Sequence, residues 1–211
     1  MKRLLLIARW RRWPGTGGRY ARRWWWPVRA PVVESPPPMV ELSAADPLAA
    51  PVQRDLPTGP QFSLSGIHAR ARAEYAVSGR VLSSTRYRLG RTAALAPFDL
   101  ALGWGRMTEP VVIDRLDISQ SGRWYFWRYR GDPPLPLHEI ETSSANLHLI
   151  PADAAVARAL RRTSAGQLIT LRGYLVELRA ADGWQWRSSL NREDTGDGSC
   201  ELLYVQAVGR P

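Results

Sequence analysis

The residues that could carry covalent chemistry are Cys200, the one cysteine of the chain, and two histidines, His138 and His148. A cysteine becomes a nucleophile when a neighbouring base takes its proton and a third group orients that base. Asn146 lies two residues before His148, so on a strand both side chains would point to the same face. These residues predict one alternative function, a hydrolase that uses Cys200 and His148. Against it, Cys200 begins a predicted strand, where a cysteine usually packs as a small apolar side chain.

The acidic loop 191–201 offers a second version of the hydrolase and resembles a calcium loop. Counted as an EF-hand from Asn191, position 12 is Leu202, where a bidentate glutamate is required. One cysteine and three scattered histidines exclude zinc sites of four cysteines or of two cysteines and two histidines. The chain also lacks the GxGxxG, GxxxxGKS/T and GxSxG motifs. We therefore expect no metal site and no cofactor.

Aromatic side chains are the most distinctive content of the body. The predicted strand 123–129 carries aromatic residues on both faces, and two more tryptophans follow the predicted hairpin turn at Asp182-Gly183. Alternate aromatics on a strand usually face a core, but two aromatic faces indicate that one is covered by a helix or partly exposed. An exposed set could stack on a sugar or a base. The predicted ligand-binding residues are Trp124, Tyr125, Trp127, Trp184, Trp186, Asn146, His148 and Arg187.

The positive charge of the chain is concentrated in its first thirty residues. Residues 1–30 hold nine basic side chains and no acid, whereas residues 31–211 hold 20 basic and 19 acidic ones. The net charge of +10 therefore describes a tail, and a nearly neutral body disfavours a nucleic-acid-binding domain. Nucleic acid bound by the tail itself stays open as a second alternative, with Trp24–Trp26 stacking on bases and arginines contacting phosphates.

The tail also begins like an export signal. Lys2 and Arg3 precede an apolar run, Leu4–Ala8, which Arg9 ends after five residues. A signal peptide needs an apolar run of about 7–15 residues and a spanning helix about 20. The tail is therefore a disordered arm, a segment that contacts an anionic membrane surface through residues 1–30, or a degenerate signal or anchor. We expect an inner-membrane-associated or periplasmic protein, or a cytoplasmic one if the broken apolar run does not function.

The chain divides into three segments. The basic tail, 1–30, is followed by a proline-rich linker, 31–61, because nine prolines fall within residues 27–60 and proline disfavours regular structure. Residues 62–211 are expected to form a single domain.

The body is predicted to be α+β and mainly β. In the strand 67–83, the apolar residues from Ile67 to Val77 alternate on one face. Short helices are predicted at 97–102, 108–116 and 136–142, with the clearest at 153–162. Further strands are predicted at 146–150, 168–179, 184–190 and 201–208. Since a helix between the third and fourth strands is the order of an OB-fold, we predict a small curved sheet or OB-like barrel with short helices.

Several longer motifs of the body form a recognisable pattern. They are DLALGWG at 99–105, DISQSGRWY at 117–125, SANLHLIPA at 144–152, WRSSL at 186–190, REDTG at 192–196, and Cys200-Glu201. Over roughly residues 70–208 the chain resembles a family of uncharacterised exported or membrane-tethered proteobacterial proteins. The resemblance implies export through an N-terminal anchor and carries no assigned activity. The chain departs from the pattern where arginines break the apolar anchor.

The leading hypothesis is a non-enzymatic domain, tethered to the membrane or associated with the envelope. It would bind an unknown protein or small ligand through its OB-like barrel.

Overall fold

A computed structural model of the protein describes residues 30–44, 46–191 and 200–211. The described part is mainly β with short helices, as predicted. In chain order the strands are β1 (Val33–Glu34), β2 (Val52–Asp55), β3 (Gln61–Leu64), β4 (Ile67–Arg86), β5 (Phe98–Gly103), β6 (Leu116–Ser121), β7 (Trp124–Tyr129), β8 (Ser144–Pro151), β9 (Leu168–Arg179), β10 (Gln185–Arg187) and β11 (Glu201–Gly209). The helices are α1 (Arg91–Leu95), α2 (Pro110–Ile113), α3 (Leu137–Thr142) and α4 (Ala154–Arg162).

Five strands of the main sheet pair in a closed ring. The order around the ring is β4, β5, β8, β11 and β9, and β9 pairs back with β4. All neighbours are antiparallel except β8 and β11, which are parallel. Helix α4 lies in the chain between β8 and β9, the third and fourth strands of the ring. The predicted small curved sheet with short helices is therefore confirmed. A helix does lie between the third and fourth ring strands, but the strand predicted second in that order, 123–129, pairs outside the ring with β6, and β5 takes its place.

Strand β4 divides the apolar core into two parts. The alternation from Ile67 to Val77 predicts one apolar face, but the register with β9 shifts between Ala71 and Ala73. Because an extra residue in a strand reverses which face later side chains occupy, Ala73 and Tyr75 pack inside the ring. Ala69 and Ala71 instead join a second cluster outside it. The prediction of a single face is wrong for this reason.

The prediction of a helix at 97–102 is also wrong, because residues 98–103 form the fully buried strand β5. Phe98, Leu100 and Leu102 alternate into the ring core, while Asp99 and Ala101 point outwards. Pairing with β4 on one side and β8 on the other satisfies the backbone, so tertiary context overrides the local helical preference.

The remaining predicted helices are present with shifted ends. Helix α4 begins after Asp153, whose Oδ1 accepts hydrogen bonds from the amides of Ala155 and Val156, at 2.7 and 2.8 Å. The helix predicted at 108–116 is shorter, since α2 covers Pro110–Ile113 and follows a 3-10 turn at Gly105–Thr108.

The proline-rich segment packs along the domain where the structure describes it. Strand β1 pairs with β3, and β2 pairs with β4. Val40 is fully buried in the outer cluster, and the Tyr174 hydroxyl donates a hydrogen bond to the Pro38 carbonyl at 3.1 Å. Within the described ranges, no helix has the length and apolarity needed to cross a membrane. The alternatives for the tail concern residues 1–29, which lie outside the described part.

Candidate functional site

A two-stranded hairpin, β6–β7, sets its tip against the outside of the ring. Ser121 pairs with Trp124, so the turn consists of Gly122 and Arg123, with φ angles of 59° and 74°. Two positive φ angles match the backbone twist of a tight hairpin. Arg123 is strained in this conformation because left-handed backbone is unfavourable for a residue with a Cβ atom. Contacts elsewhere must therefore hold the turn.

Arg123 makes those contacts with its side chain and its backbone. Its Nη1 donates to Asp99 Oδ1 at 2.6 Å and to the Ala96 carbonyl at 2.8 Å. The guanidinium carbon lies 3.9 Å from the ring centre of Tyr87, a cation–π distance. The Arg123 amide donates to the Tyr87 hydroxyl at 3.0 Å, and its carbonyl accepts from Asn146 Nδ2 at 2.9 Å. We call Arg123, Asp99, Tyr87, Asn146 and His148 the latch cluster.

Asp99 is the buried centre of the latch cluster. Its side chain is 0% exposed, and it lies directly opposite His148 on the neighbouring strand. His148 Nδ1 is 3.0 Å from Asp99 Oδ1, but the two atoms are not aligned for a hydrogen bond. Asp99 Oδ2 and Arg123 Nη2 have no hydrogen-bond partner among the described residues. A buried ion pair with unsatisfied atoms is costly, so it is a strong candidate for a functional or positioning role.

Cys200 reaches the latch cluster from the start of β11. Its Sγ lies 3.9 Å from the Arg123 carbonyl and donates to it. Burial raises the pKa of the thiol to about 11, the neighbouring Glu201 carboxylate adds to the rise, and a hydrogen bond with Asn146 opposes it. Because a nucleophilic cysteine needs a lowered pKa, this thiol is held in its unreactive form.

Trp186 of the β9–β10 hairpin packs on the latch cluster, and Trp184 packs on Trp186. The Trp186 ring lies 5.2 Å from the His148 ring and 5.5 Å from the Arg123 guanidinium. Trp184 meets Trp186 edge-on at 6.2 Å, and Arg91 lies 5.2 Å from the Trp184 ring. These rings shield the cluster from water, which strengthens the electrostatic interactions within it.

The hairpin carries the latch at its tip and an aromatic surface on its outer face. Trp124 and Phe126 are 37% and 44% exposed, whereas Tyr125 and Trp127 pack inwards against a third apolar cluster. Burial raises the pKa of Tyr125 to about 12, and its hydroxyl donates to Ser144 Oγ at 3.4 Å. The two aromatic faces of this strand therefore have different roles. We call the exposed pair Trp124 and Phe126 the aromatic platform.

The structure separates the predicted ligand-binding residues into three places. Asn146 and His148 belong to the latch cluster, Trp186 packs on it, and Trp184 packs on Trp186. Trp124, Tyr125 and Trp127 lie on the β6–β7 hairpin, with Trp124 alone exposed among them. Arg187 lies on the opposite face of its strand from Trp186 and does not join either group.

Asp99, Arg123 and Tyr87 are central to the site, yet they were not among the predicted residues. Read as a strand, 98–103 places Asp99 on the face opposite Phe98, Leu100 and Leu102, as the one charged side chain of the segment, and an acid in an otherwise apolar strand is a signal for a functional residue. Five of the motifs that carry the family resemblance each supply a residue to the latch cluster or its cover: Asp99, Arg123, Asn146 with His148, Trp186 and Cys200.

Among the described residues, no group of three or more histidine, cysteine or acidic side chains could hold a metal ion. The calcium-like loop falls on residues 192–199, outside the described part. A scan against protein-family models and searches of curated proteins and solved structures found no match to this chain.

Proposed function

We propose that this protein is a non-enzymatic binding domain of the bacterial envelope whose ligand surface is the aromatic platform. The observation that carries the proposal is the pair of large rings, Trp124 and Phe126, left exposed side by side on a hairpin anchored at its tip. Adjacent exposed aromatic rings form a patch, and such patches on soluble domains typically serve interactions.

The surroundings of the platform favour an oligosaccharide as its ligand. Ser121 and Ser119 lie directly across from Trp124 and Phe126, so hydroxyl groups flank the rings. Asp117 lies across from Arg128, which balances the charge at the far end. A nucleic acid would require an excess of basic side chains, whereas a neutral sugar requires rings and hydrogen-bonding groups. Domains with an OB-like sheet bind both ligand classes, so charge is the feature that discriminates.

The latch cluster contributes to this function by positioning the platform. Arg123 immediately precedes Trp124, and its hydrogen bonds to Asp99 and Ala96 hold the turn against the ring. A binding surface that is rigid before it meets its ligand loses less conformational entropy on binding.

The hydrolase alternatives receive less support. The Cys200 thiol donates to a backbone carbonyl and has a raised pKa, which argues against an activated nucleophile. The acidic version of the hydrolase depends mostly on residues 192–199, outside the described part. Location at the inner membrane or in the periplasm is likewise proposed from the composition of residues 1–30.

Cosedimentation with purified peptidoglycan sacculi, an insoluble envelope glycan, tests the proposal. The full chain is compared with Trp124→Ala, Phe126→Ala and a control, Leu89→Ala, which removes a 91% exposed apolar side chain elsewhere. We expect each platform variant to bind about tenfold more weakly, because one stacked ring contributes about 1–3 kcal/mol. The control should bind like the unmodified protein, and all variants should unfold at the same urea midpoint. Unchanged binding by both platform variants would contradict the proposed ligand surface.

A further inference from the structure

A second surface, on the opposite side of the sheet from Trp186, has a chemistry unlike that of the platform. Strands β4 and β9 extend beyond the ring and are flanked by β3 and β10. Two rows of polar side chains cross these four strands at directly paired positions. The first row is Gln61, Arg70, Glu177 and Arg187, and the second is Ser63, His68, Arg179 and Gln185. We call these eight residues, with Arg72, the arginine face.

Positive charge is concentrated on the arginine face although the body is nearly neutral. Glu177 is buried, and three arginines contact it: Arg72 Nη1 at 2.9 Å, Arg70 Nη2 at 3.3 Å and Arg179 Nε at 2.6 Å. One carboxylate cannot neutralise three guanidinium groups. Arg187 lies directly across from Glu177, is exposed, and forms no ion pair among the described residues.

The arginines of this face stay accessible while they hold Glu177. Their side chains are 39% exposed for Arg70 and 57% for Arg179. A shallow cavity of about 220 Å³ lies between them, lined by Gln61, His68, Arg70, Glu177 and Arg179. Glu34 lies across from Ser63 on the edge strand, at the rim of the face. Four arginines against these two acids leave a net positive surface with donors that suit phosphate groups.

The basic tail joins the domain at the edge of the same face. The Val32 amide donates to Ser65 Oγ at 3.0 Å, and the Ser65 amide donates to the Val32 carbonyl at 2.7 Å. Ser65 lies in the turn between β3 and β4, three residues from His68. Residues 1–29, which carry nine basic side chains and no acid, therefore attach to the domain beside the arginine face.

We infer that the arginine face docks on an anionic lipid bilayer, with phospholipid phosphates contacting Arg70, Arg179 and Arg187. Because the tail joins the domain beside the face at Ser65, a bilayer bound at the face is within reach of the basic side chains of the tail. Each basic side chain close to an anionic bilayer strengthens binding about fivefold. This inference is independent of the aromatic platform, which lies on a separate hairpin.

Vesicle cosedimentation of the full chain tests the inference. Vesicles of phosphatidylcholine with phosphatidylglycerol are compared with phosphatidylcholine alone. The test variant is Arg179→Gln with Arg187→Gln, and the control is Arg88→Gln with Arg158→Gln, which removes the same charge at two exposed sites off the face. The tail is unchanged in both, so its contribution cancels.

We expect the test variant to bind the anionic vesicles at least tenfold more weakly than the unmodified chain and the control to change less than twofold. The test and control variants should both unfold close to the urea midpoint of the unmodified chain. Both should also bind sacculi as the unmodified chain does, so a loss of vesicle binding cannot be attributed to the aromatic platform. Equal weakening of both variants would overturn the inference, since it would show a nonspecific charge effect. Unchanged vesicle binding by the test variant would also overturn the inference. If that variant then bound single-stranded DNA more weakly than the unmodified chain, the arginine face would be assigned to nucleic acid.

Discussion

Two buried carboxylates, Asp99 and Glu177, are both held by arginine, yet their surroundings differ. Asp99 is paired with Arg123, whose side chain is 17% exposed and lies between Tyr87 and Trp186. Glu177 is surrounded by arginines that reach into water. The first group is closed by aromatic rings, and the second is open on one side.

This difference shows how the same ion-pair chemistry supports two roles. In the closed group the charges satisfy mainly each other, so their effect is to fix the position of the hairpin turn. In the open group one carboxylate orders three guanidinium groups without cancelling them, so the excess charge is presented to solvent in a defined arrangement. Closure by aromatic rings therefore distinguishes a positioning cluster from a surface that can recruit an anion.

The largest effect is expected from Asp99→Ala. The change leaves the Arg123 guanidinium buried without its carboxylate, and breaking a buried pair in this way costs about 3–5 kcal/mol of unfolding free energy. Urea denaturation of the full chain measures it. The control is Asp182→Ala, which removes an exposed partner of Arg91 and should change little because water replaces that contact. Equal losses in the two variants would mean that Asp99 is no better enclosed than a surface acid.

A second prediction concerns the single thiol at the margin of the closed group. With a pKa of about 11, Cys200 should react with iodoacetamide at pH 8 at least about a hundredfold more slowly than a free cysteine, because few molecules carry the thiolate. Mass spectrometry follows the reaction without ambiguity, since the chain has no other cysteine. The urea-unfolded protein is the internal control and should react at the ordinary rate. Rapid labelling of the folded chain would revive the hydrolase that uses Cys200 and His148.

A smaller effect is expected at the open group, and it depends on pH. Burial alone would raise the pKa of Glu177, but hydrogen bonds from Arg179 and Arg72 outweigh burial and lower it below its ordinary value. Its stabilising contribution is therefore present above the unfolded pKa of about 4.3 and is lost as the pH falls through the folded pKa. Urea denaturation of the unmodified chain should show this loss.

The variant Glu177→Gln tests whether the charge of Glu177 accounts for its contribution to stability. At neutral pH the variant should lose about 1–2 kcal/mol, less than Asp99→Ala, because water reaches the arginines it leaves behind. Below the folded pKa its stability should approach that of the unmodified chain, since the carboxyl is then protonated in the folded protein as well and resembles the amide. A variant that stays equally destabilised at every pH would show that packing, rather than charge, accounts for the role of Glu177.

Much of the fold follows from local pattern, and the errors have identifiable causes. The long alternation of apolar side chains from Ile67 predicts β4, and the dense run of aromatic residues from Trp124 predicts β7. Both are strong local signals for a strand. The segment 98–103 was misassigned since a short apolar run bounded by Pro97 and glycine suits either a helix or a central strand. That error also concealed Asp99, because an acid is conspicuous only when the face it occupies is known.

The candidate site was predicted in fragments. Asn146 and His148 were placed on one face of a strand, and both do reach the latch cluster. The predicted binding set includes Arg187 together with Trp184 and Trp186. Strand alternation places Arg187 instead on the arginine face, across from Glu177. Proximity along a strand therefore misleads wherever successive side chains point to opposite sides of a sheet.

The sequence by itself determined the mainly β class, the helix at 153–162, the basic tail and the two aromatic faces of one strand. These features depend on the composition of a segment and on the spacing of its apolar and charged residues, and both can be read from residues that are close together in the chain. Only the tertiary structure decided that Tyr125 and Trp127 pack against the body while Trp124 and Phe126 are exposed, that β4 contributes to two cores, and that Asp99, Arg123 and His148 meet. Such contacts join residues distant in the chain, and a one-residue bulge in a long strand is enough to change which of them share a face.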